Sequence, residues 1–203
     1  MRKALFVLLL ILGTSVLAAD GDSWIQQAYH KSFHYEQTQN YSVAINALLP
    51  VVRGYPKGYT VNLRLGWLYY LMKHYANSIA HYDVAIKTAP MAVEAKVARM
   101  LPLLAQERYS EAEQTAYQVL NIDFYNYYGN LRLVVALRKQ NKTDLALEVV
   151  YKMQALYPAD VTFIVESGLL LHQKGEKEKA VAVFLGVIVL DPENVTAKSY
   201  LGK

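Results

Sequence analysis

His30 and His34 stand four residues apart, which on a helix puts both imidazoles on one face at metal-ligand spacing. No glutamate follows His30, so the HExxH pattern of a zinc hydrolase is not formed. His74 and His81 fall at a turn and on a separate helix, and no third ligand accompanies either pair. No metal or other cofactor is therefore expected. Ser167-Gly168 lacks the preceding strand of a nucleophile elbow, and there is no Gly-rich phosphate loop. The absence of cysteine excludes disulfides, thiolate sites, cysteine nucleophiles and thioether lipid anchors. Asn40, Asn141 and Asn194 open Asn-x-Ser/Thr triplets, which matter only in a eukaryotic secretory path. What remains is binding rather than catalysis, and the residues suited to it are aromatic: 17 tyrosines, 5 phenylalanines and 2 tryptophans.

The background is that of a folded, helix-rich chain. Of 203 residues, 54% are hydrophobic and 19% charged, too apolar for disorder and too evenly polar for a multi-span membrane protein. Arg2 and Lys3 precede an unbroken apolar run from Ala4 to Leu12, and Ala18-Ala19 offers a small-residue cleavage site. Residues 1–19 thus read as a secretory signal peptide, with an uncleaved N-terminal anchor as the alternative. The stretch from Ala4 to Ala19 is shorter than the ~20 residues of a spanning helix. The expected location is the periplasm or the cell exterior. Cleavage removes two of the 21 basic residues and none of the 17 acidic ones, so the net charge falls from +4 to +2. Arg138-Lys139 with Lys142 is the densest basic cluster left, a common helix-end pattern, and nucleic-acid binding is not expected.

Four of the six prolines, Pro56, Pro90, Pro158 and Pro192, lie on a series of step 34, with Phe124 at the missing term. Such a period marks a stacked repeat. Five units follow: 25–58, 59–92, 93–126, 127–160 and 161–194. Position 20 of the unit is Ala44, Ser78, Ala112, Ala146 and Ala180; position 24 is Leu48, Tyr82, Ala116, Val150 and Phe184. Each unit reads as two amphipathic helices around a polar turn, with tyrosine opening the second helix at Tyr41, Tyr75 and Tyr109. Small residues at positions 8 and 20 let the helices approach closely, and the proline ends the pair. Residues 195–203 add a short capping segment.

The units resemble the tetratricopeptide repeat family, most clearly over 59–92 (Leu65, Gly66, Tyr69, Tyr75, Ala85, Pro90) and 161–192 (Gly168, Ala180, Phe184, Pro192). The family's usual tryptophan at position 4 is absent; Asn62 stands there in the second unit. Unit 93–126 lacks both the small residue at position 8, where Met100 stands, and the proline. The resemblance implies an all-α, right-handed α-solenoid whose first helices line a concave groove. Positions 2, 5, 9 and 12 face that groove in the family, with position 6 beside them. Here they give Tyr29, Phe33, Arg64, Trp67, Tyr70, Tyr128, Arg132 and Arg138 as candidate binding residues. Aromatic and arginine side chains are typical anchors of a binding surface. The family's lysine–asparagine clamp for a C-terminal carboxylate is not reproduced, since Tyr29 and Phe33 occupy those positions.

The expected function is a non-enzymatic interaction scaffold of the cell envelope holding a peptide or partner protein. The alternative is a small-ligand or glycan receptor that stacks sugar rings on Trp67 and Tyr70. Ala180 to Leu190 carries no polar side chain in 11 residues, which predicts burial on every side, partly by residues 195–201 and partly by another chain. Self-association through the C-terminal repeat follows from that reading.

Overall fold

The computed structural model describes residues 16–202, with side chains from Trp24 onward. The signal peptide expected at 1–19 falls, for residues 1–15, outside the described residues. Among the described residues eleven helices follow one another with no strand: α1 (Val16–Gln37), α2 (Tyr41–Gly54), α3 (Tyr59–Leu71), α4 (Tyr75–Thr88), α5 (Val93–Ala105), α6 (Tyr109–Leu120), α7 (Tyr127–Lys139), α8 (Thr143–Leu156), α9 (Val161–Gln173), α10 (Lys177–Leu190) and α11 (Val195–Leu201). No described helix is long and apolar enough to cross a membrane.

The chain divides into two compact units at Pro56 and Lys57. In the first, α1 packs on α2, which buries Ala44, Ile45, Leu48 and Val51. In the second, α3 to α11 each pack on the next in sequence order. First helices also touch across one repeat, α3 with α5, α5 with α7 and α7 with α9. This is the solenoid of helix–turn–helix repeats implied by the 34-residue period.

The turn inside each repeat is built the same way five times. Gln39, Lys73, Glu107, Asn141 and Gly175, each 34 residues after the last, have φ of 58°, 60°, 60°, 59° and 88°. One residue in the left-handed region reverses the chain in three or four residues, and only the last of these is the glycine that favours it. The backbone amide after each turn residue bonds back to the first helix; in the second repeat His74 N–H meets the Tyr69 carbonyl at 2.9 Å.

Packing between the paired helices depends on positions 8 and 24. A β-carbon on Gly66 would lie 2.6 Å from the Tyr82 ring, and one on Gly168 would lie 2.7 Å from Phe184. Both rings are fully buried. In the third repeat the sizes are exchanged: Met100 and Ala116 are both fully buried in one cluster. The fourth uses Val134 and Val150. The missing small residue in unit 93–126 is therefore balanced by a small one opposite, which keeps the layer at close-packed density. At position 20, the Ser78 hydroxyl donates to the Gly66 carbonyl at 2.7 Å.

Position 4 carries a buried polar side chain in three successive repeats, Asn62, Lys96 and Asn130. Each closes the connection before its own helix. Asn62 donates to the Gly58 carbonyl at 2.8 Å. Lys96 donates to the carbonyls of Pro90 and Ala92. Asn130 donates to those of Phe124 (3.0 Å) and Asn126 (2.9 Å). Orphan carbonyls at the helix junctions are satisfied this way.

The C-terminal repeat is covered within the chain on one side only. The first-helix side of α10 is buried through Ala180, Phe184 and Val187, and α11 covers it with Ala197 and a Tyr200 ring stacked on Phe184 at 4.8 Å. The outer side is open. Val181, Leu185 and Val189 are 43%, 47% and 81% exposed. The uniform apolarity of this helix thus corresponds to one packed face and one bare one within the chain.

Candidate binding groove

Within the second unit, the groove positions read from the sequence fall on α3, α5, α7 and α9. On α3, Trp67 and Tyr70 are half-buried, with ring centroids 5.6 Å apart and planes tilted by 32°. Tyr70 also meets Tyr75, which opens α4, at 6.0 Å. On α7, the Arg132 guanidinium lies 5.4 Å from the centroid of Tyr128, a cation–π contact, and Tyr128 is 56% exposed. Arg132 also donates to the Val97 carbonyl of α5.

The α3 and α7 groups share one electrostatic neighbourhood. Burial lowers the Arg132 pKa, and the hydroxyls of Tyr82, Tyr128 and Tyr70 act the other way. The buried Tyr82 hydroxyl has no hydrogen-bond partner among the described residues. Burial pushes its pKa up, and Arg132 opposes that shift. Among the described residues Arg132 forms no ion pair with a carboxylate. Tyr59 at the start of α3 donates to Glu94 of α5 at 3.2 Å, and burial with the Glu94 charge raises its pKa.

The remaining candidates are placed differently. Arg138 is tied to Glu166 of α9 by two bonds of 2.7 and 3.3 Å, with side-chain exposures of 20% and 11%. Its charge is balanced inside the chain, so it joins α7 to α9. Gln173 strengthens that junction by donating to the Arg138 carbonyl at 3.2 Å. Arg64 is half-buried on α3. Tyr29 and Phe33 lie on α1 in the first unit, Tyr29 half-buried and Phe33 51% exposed.

Among the described residues no group of three or more His, Asp and Glu side chains could hold an ion. His81 instead stacks on Tyr69 at 5.3 Å, and its Nδ1 lies 2.9 Å from the Asn62 Oδ1. Burial lowers its pKa. From the sequence alone Asn62 stands out only as the residue in place of the family's tryptophan, and Lys96 and Asn130 pass unnoticed. Their common step of 34 is the signal that joins them.

Residues 34–93 match the tetratricopeptide repeat family model. Over that stretch the chain is similar to tetratricopeptide repeats. No match is found among curated protein sequences. Solved structures carry the fold across most of the chain. MamA from Desulfovibrio magneticus RS-1 (residues 41 to its end) has a TM-score of 0.76 at 16% identity, covering 85% of this chain and 97% of that one. YrrB, described as a tetratricopeptide protein with an unusual peptide-binding site, has a TM-score of 0.74 at 12% identity, covering 92% and 97%. TTC0263, a thermophilic tetratricopeptide protein of Thermus thermophilus, has a TM-score of 0.67 at 10% identity, covering 87% and 97%. At these identities the likeness is one of fold.

Proposed function

We propose that the chain is an exported, non-enzymatic scaffold of the cell envelope that holds a peptide or partner-protein segment along its first helices. The observation that carries this reading is the strip Trp67, Tyr70, Tyr128 and Arg132. It combines half-open aromatic area with a guanidinium that no carboxylate of the described residues answers. A partner carboxylate there gains a charge-assisted bond while its neighbours cover the rings. YrrB, of similar fold, is described as having a peptide-binding site, which supports peptides as the ligand class. The envelope location is supported by the apolar N-terminal stretch. A second copy of the chain belongs among the partners, met through the C-terminal repeat rather than the groove.

The test is a crosslinking pull-down of the exported protein with Arg132→Ala and Trp67→Ala variants. Each variant is expected to weaken capture by about tenfold or more, the loss typical of an anchor residue. Capture of the same partner at wild-type strength by both variants refutes the groove. A parallel thermal-shift screen covers the receptor reading: a sugar that raises the unfolding temperature where no peptide does replaces the scaffold with a glycan receptor.

A further inference from the structure

The junction between α6 and α7 differs from the other junctions of the second unit. Four residues join α4 to α5, α8 to α9 and α10 to α11, but six, 121–126, join α6 to α7. The 34-residue series of prolines also fails here, with Phe124 at the missing term. A large apolar ring thus stands in solvent where the other junctions carry a compact proline. Phe124 is 57% exposed, Tyr125 53% and Tyr128, in the first turn of α7, 56%.

The connection that carries these rings is pinned at several points. The Asn130 amide donates to the Phe124 carbonyl at 3.0 Å. Asn126 caps α7 by accepting from the Gly129 N–H at 2.8 Å, and its amide donates to Asp123 at 3.0 Å. The N–H groups of Ile122 and Asp123 both donate to the Val119 carbonyl. Phe124 and Tyr125 meet edge to face, with ring centroids 4.9 Å apart and planes at 80°. A surface already held in one shape loses little entropy on binding, and aromatic rings so fixed are the usual anchors of an interface.

Two cations stand over these rings. The Lys152 ammonium of α8 lies 4.1 Å from the Phe124 centroid, and the Arg132 guanidinium lies 5.4 Å from that of Tyr128. Neither has a carboxylate partner among the described residues, and burial lowers the pKa of both. The neighbouring carboxylates serve helix starts instead. Asp123 accepts from the Asn126 amide. Asp160 accepts from the Thr162 and Phe163 N–H groups at the head of α9 and from the Tyr127 hydroxyl. A cation partly stripped of water and without a counter-charge gains most from a carboxylate that a partner brings. The geometry disfavours a sugar, because the edge-to-face pair offers no parallel faces to stack on. It disfavours a lipid surface, because the exposed Asp123 carboxylate would meet the bilayer together with the rings.

We propose that the α6–α7 junction is a further contact point for the partner segment, taking an acidic residue flanked by large apolar ones. The carboxylate meets Lys152, and the apolar side chains cover Phe124 and Tyr125. This rests on the groove reading and carries the segment onward from Tyr128 and Arg132.

Selection of a phage-displayed library of short random peptides on the purified protein, followed by fluorescence anisotropy of the enriched peptides, tests this. Enriched sequences are expected to hold Asp or Glu next to a large apolar residue. Phe124→Ser and Lys152→Glu should each weaken binding by about tenfold or more, with circular dichroism unchanged. Tyr117→Ala, which removes an exposed ring of α6 outside the patch, should bind like wild type. A peptide with lysine in place of its acidic residue should lose binding to wild type and regain it on Lys152→Glu. If Trp67→Ala or Arg132→Ala weakens binding while Phe124→Ser and Lys152→Glu do not, the junction falls and the groove stands. Enriched peptides that lack an acidic residue overturn the junction as well. A library that yields no binder, or binding indifferent to all four substitutions, overturns both readings. Co-sedimentation with phosphatidylglycerol vesicles that Phe124→Ser abolishes would replace the peptide with a lipid surface.

Discussion

Substituting alanine for Gly66 should destabilise the protein even though alanine is the better helix former. The added β-carbon would meet three atoms of the buried Tyr82 ring at 2.6, 2.7 and 2.9 Å. The ring has no free side to move toward, since Tyr82 is fully buried. Overpacking of this kind costs about 1–3 kcal/mol. Replacing a glycine inside a helix returns about 1 kcal/mol, so the net loss is about 1 kcal/mol with an upper end near 2. Gly186→Ala provides the contrast, because nothing lies within 4 Å of its added carbon. There the helix term acts alone and stabilises by about 1 kcal/mol. Urea unfolding followed by circular dichroism, at a concentration low enough to hold single copies, should separate the two variants by about 2 kcal/mol. On a Tyr82→Leu background, Gly66→Ala should lose most of its cost. If Gly66→Ala stabilises as much as Gly186→Ala, positions 8 and 24 are not in the tight contact described.

Gly175→Ala, at φ 88°, should cost about 1 kcal/mol in urea unfolding, while Lys73→Gly, at φ 60°, should be neutral or slightly stabilising as strain and unfolded-chain entropy offset each other. Asn130→Leu should cost about 1–3 kcal/mol by the same assay, because it leaves the Phe124 and Asn126 carbonyls without their side-chain donor. Burial holds His81 below its ordinary value of 6.5, so the unfolded chain takes up the proton more readily. Its contribution to stability is fully present above 6.5 and is lost as the pH falls below it. Thermal unfolding of wild type should therefore weaken on acidification through that range more than that of His81→Gln.

The fold is legible in the sequence because its determinants are periodic. Prolines at step 34, alanines at position 20 and the position 24 series each restate one helix pair, so single departures such as Phe124 cannot hide it. What escapes is written in residues whose identity changes while their task does not. Asn62, Lys96 and Asn130 all supply a donor to the preceding junction, yet an amide and an ammonium share no sequence signature. Gln39, Lys73, Glu107 and Asn141 reverse the chain without the glycine that would announce it. The groove is half legible. Helical spacing places Trp67 beside Tyr70 and Arg132 beside Tyr128, both within one helix. It cannot show that Arg138 has a carboxylate from the next repeat, because that pair spans 28 residues and depends on the stacking angle. The apolar run in α10 predicts burial on every side, but helix composition alone does not tell a packed face from an exposed one.

The exchange of large and small side chains between Gly66–Tyr82 and Met100–Ala116 makes neighbouring repeats alike in backbone and incompatible in interior. Moving one helix from the second unit into the third would seat methionine against tyrosine, or glycine against alanine: a collision in one case, a hole in the other. Duplicated modules usually remain exchangeable parts. These have diverged into keyed ones, so a tolerated change at either member of a pair waits on a matching change sixteen residues away.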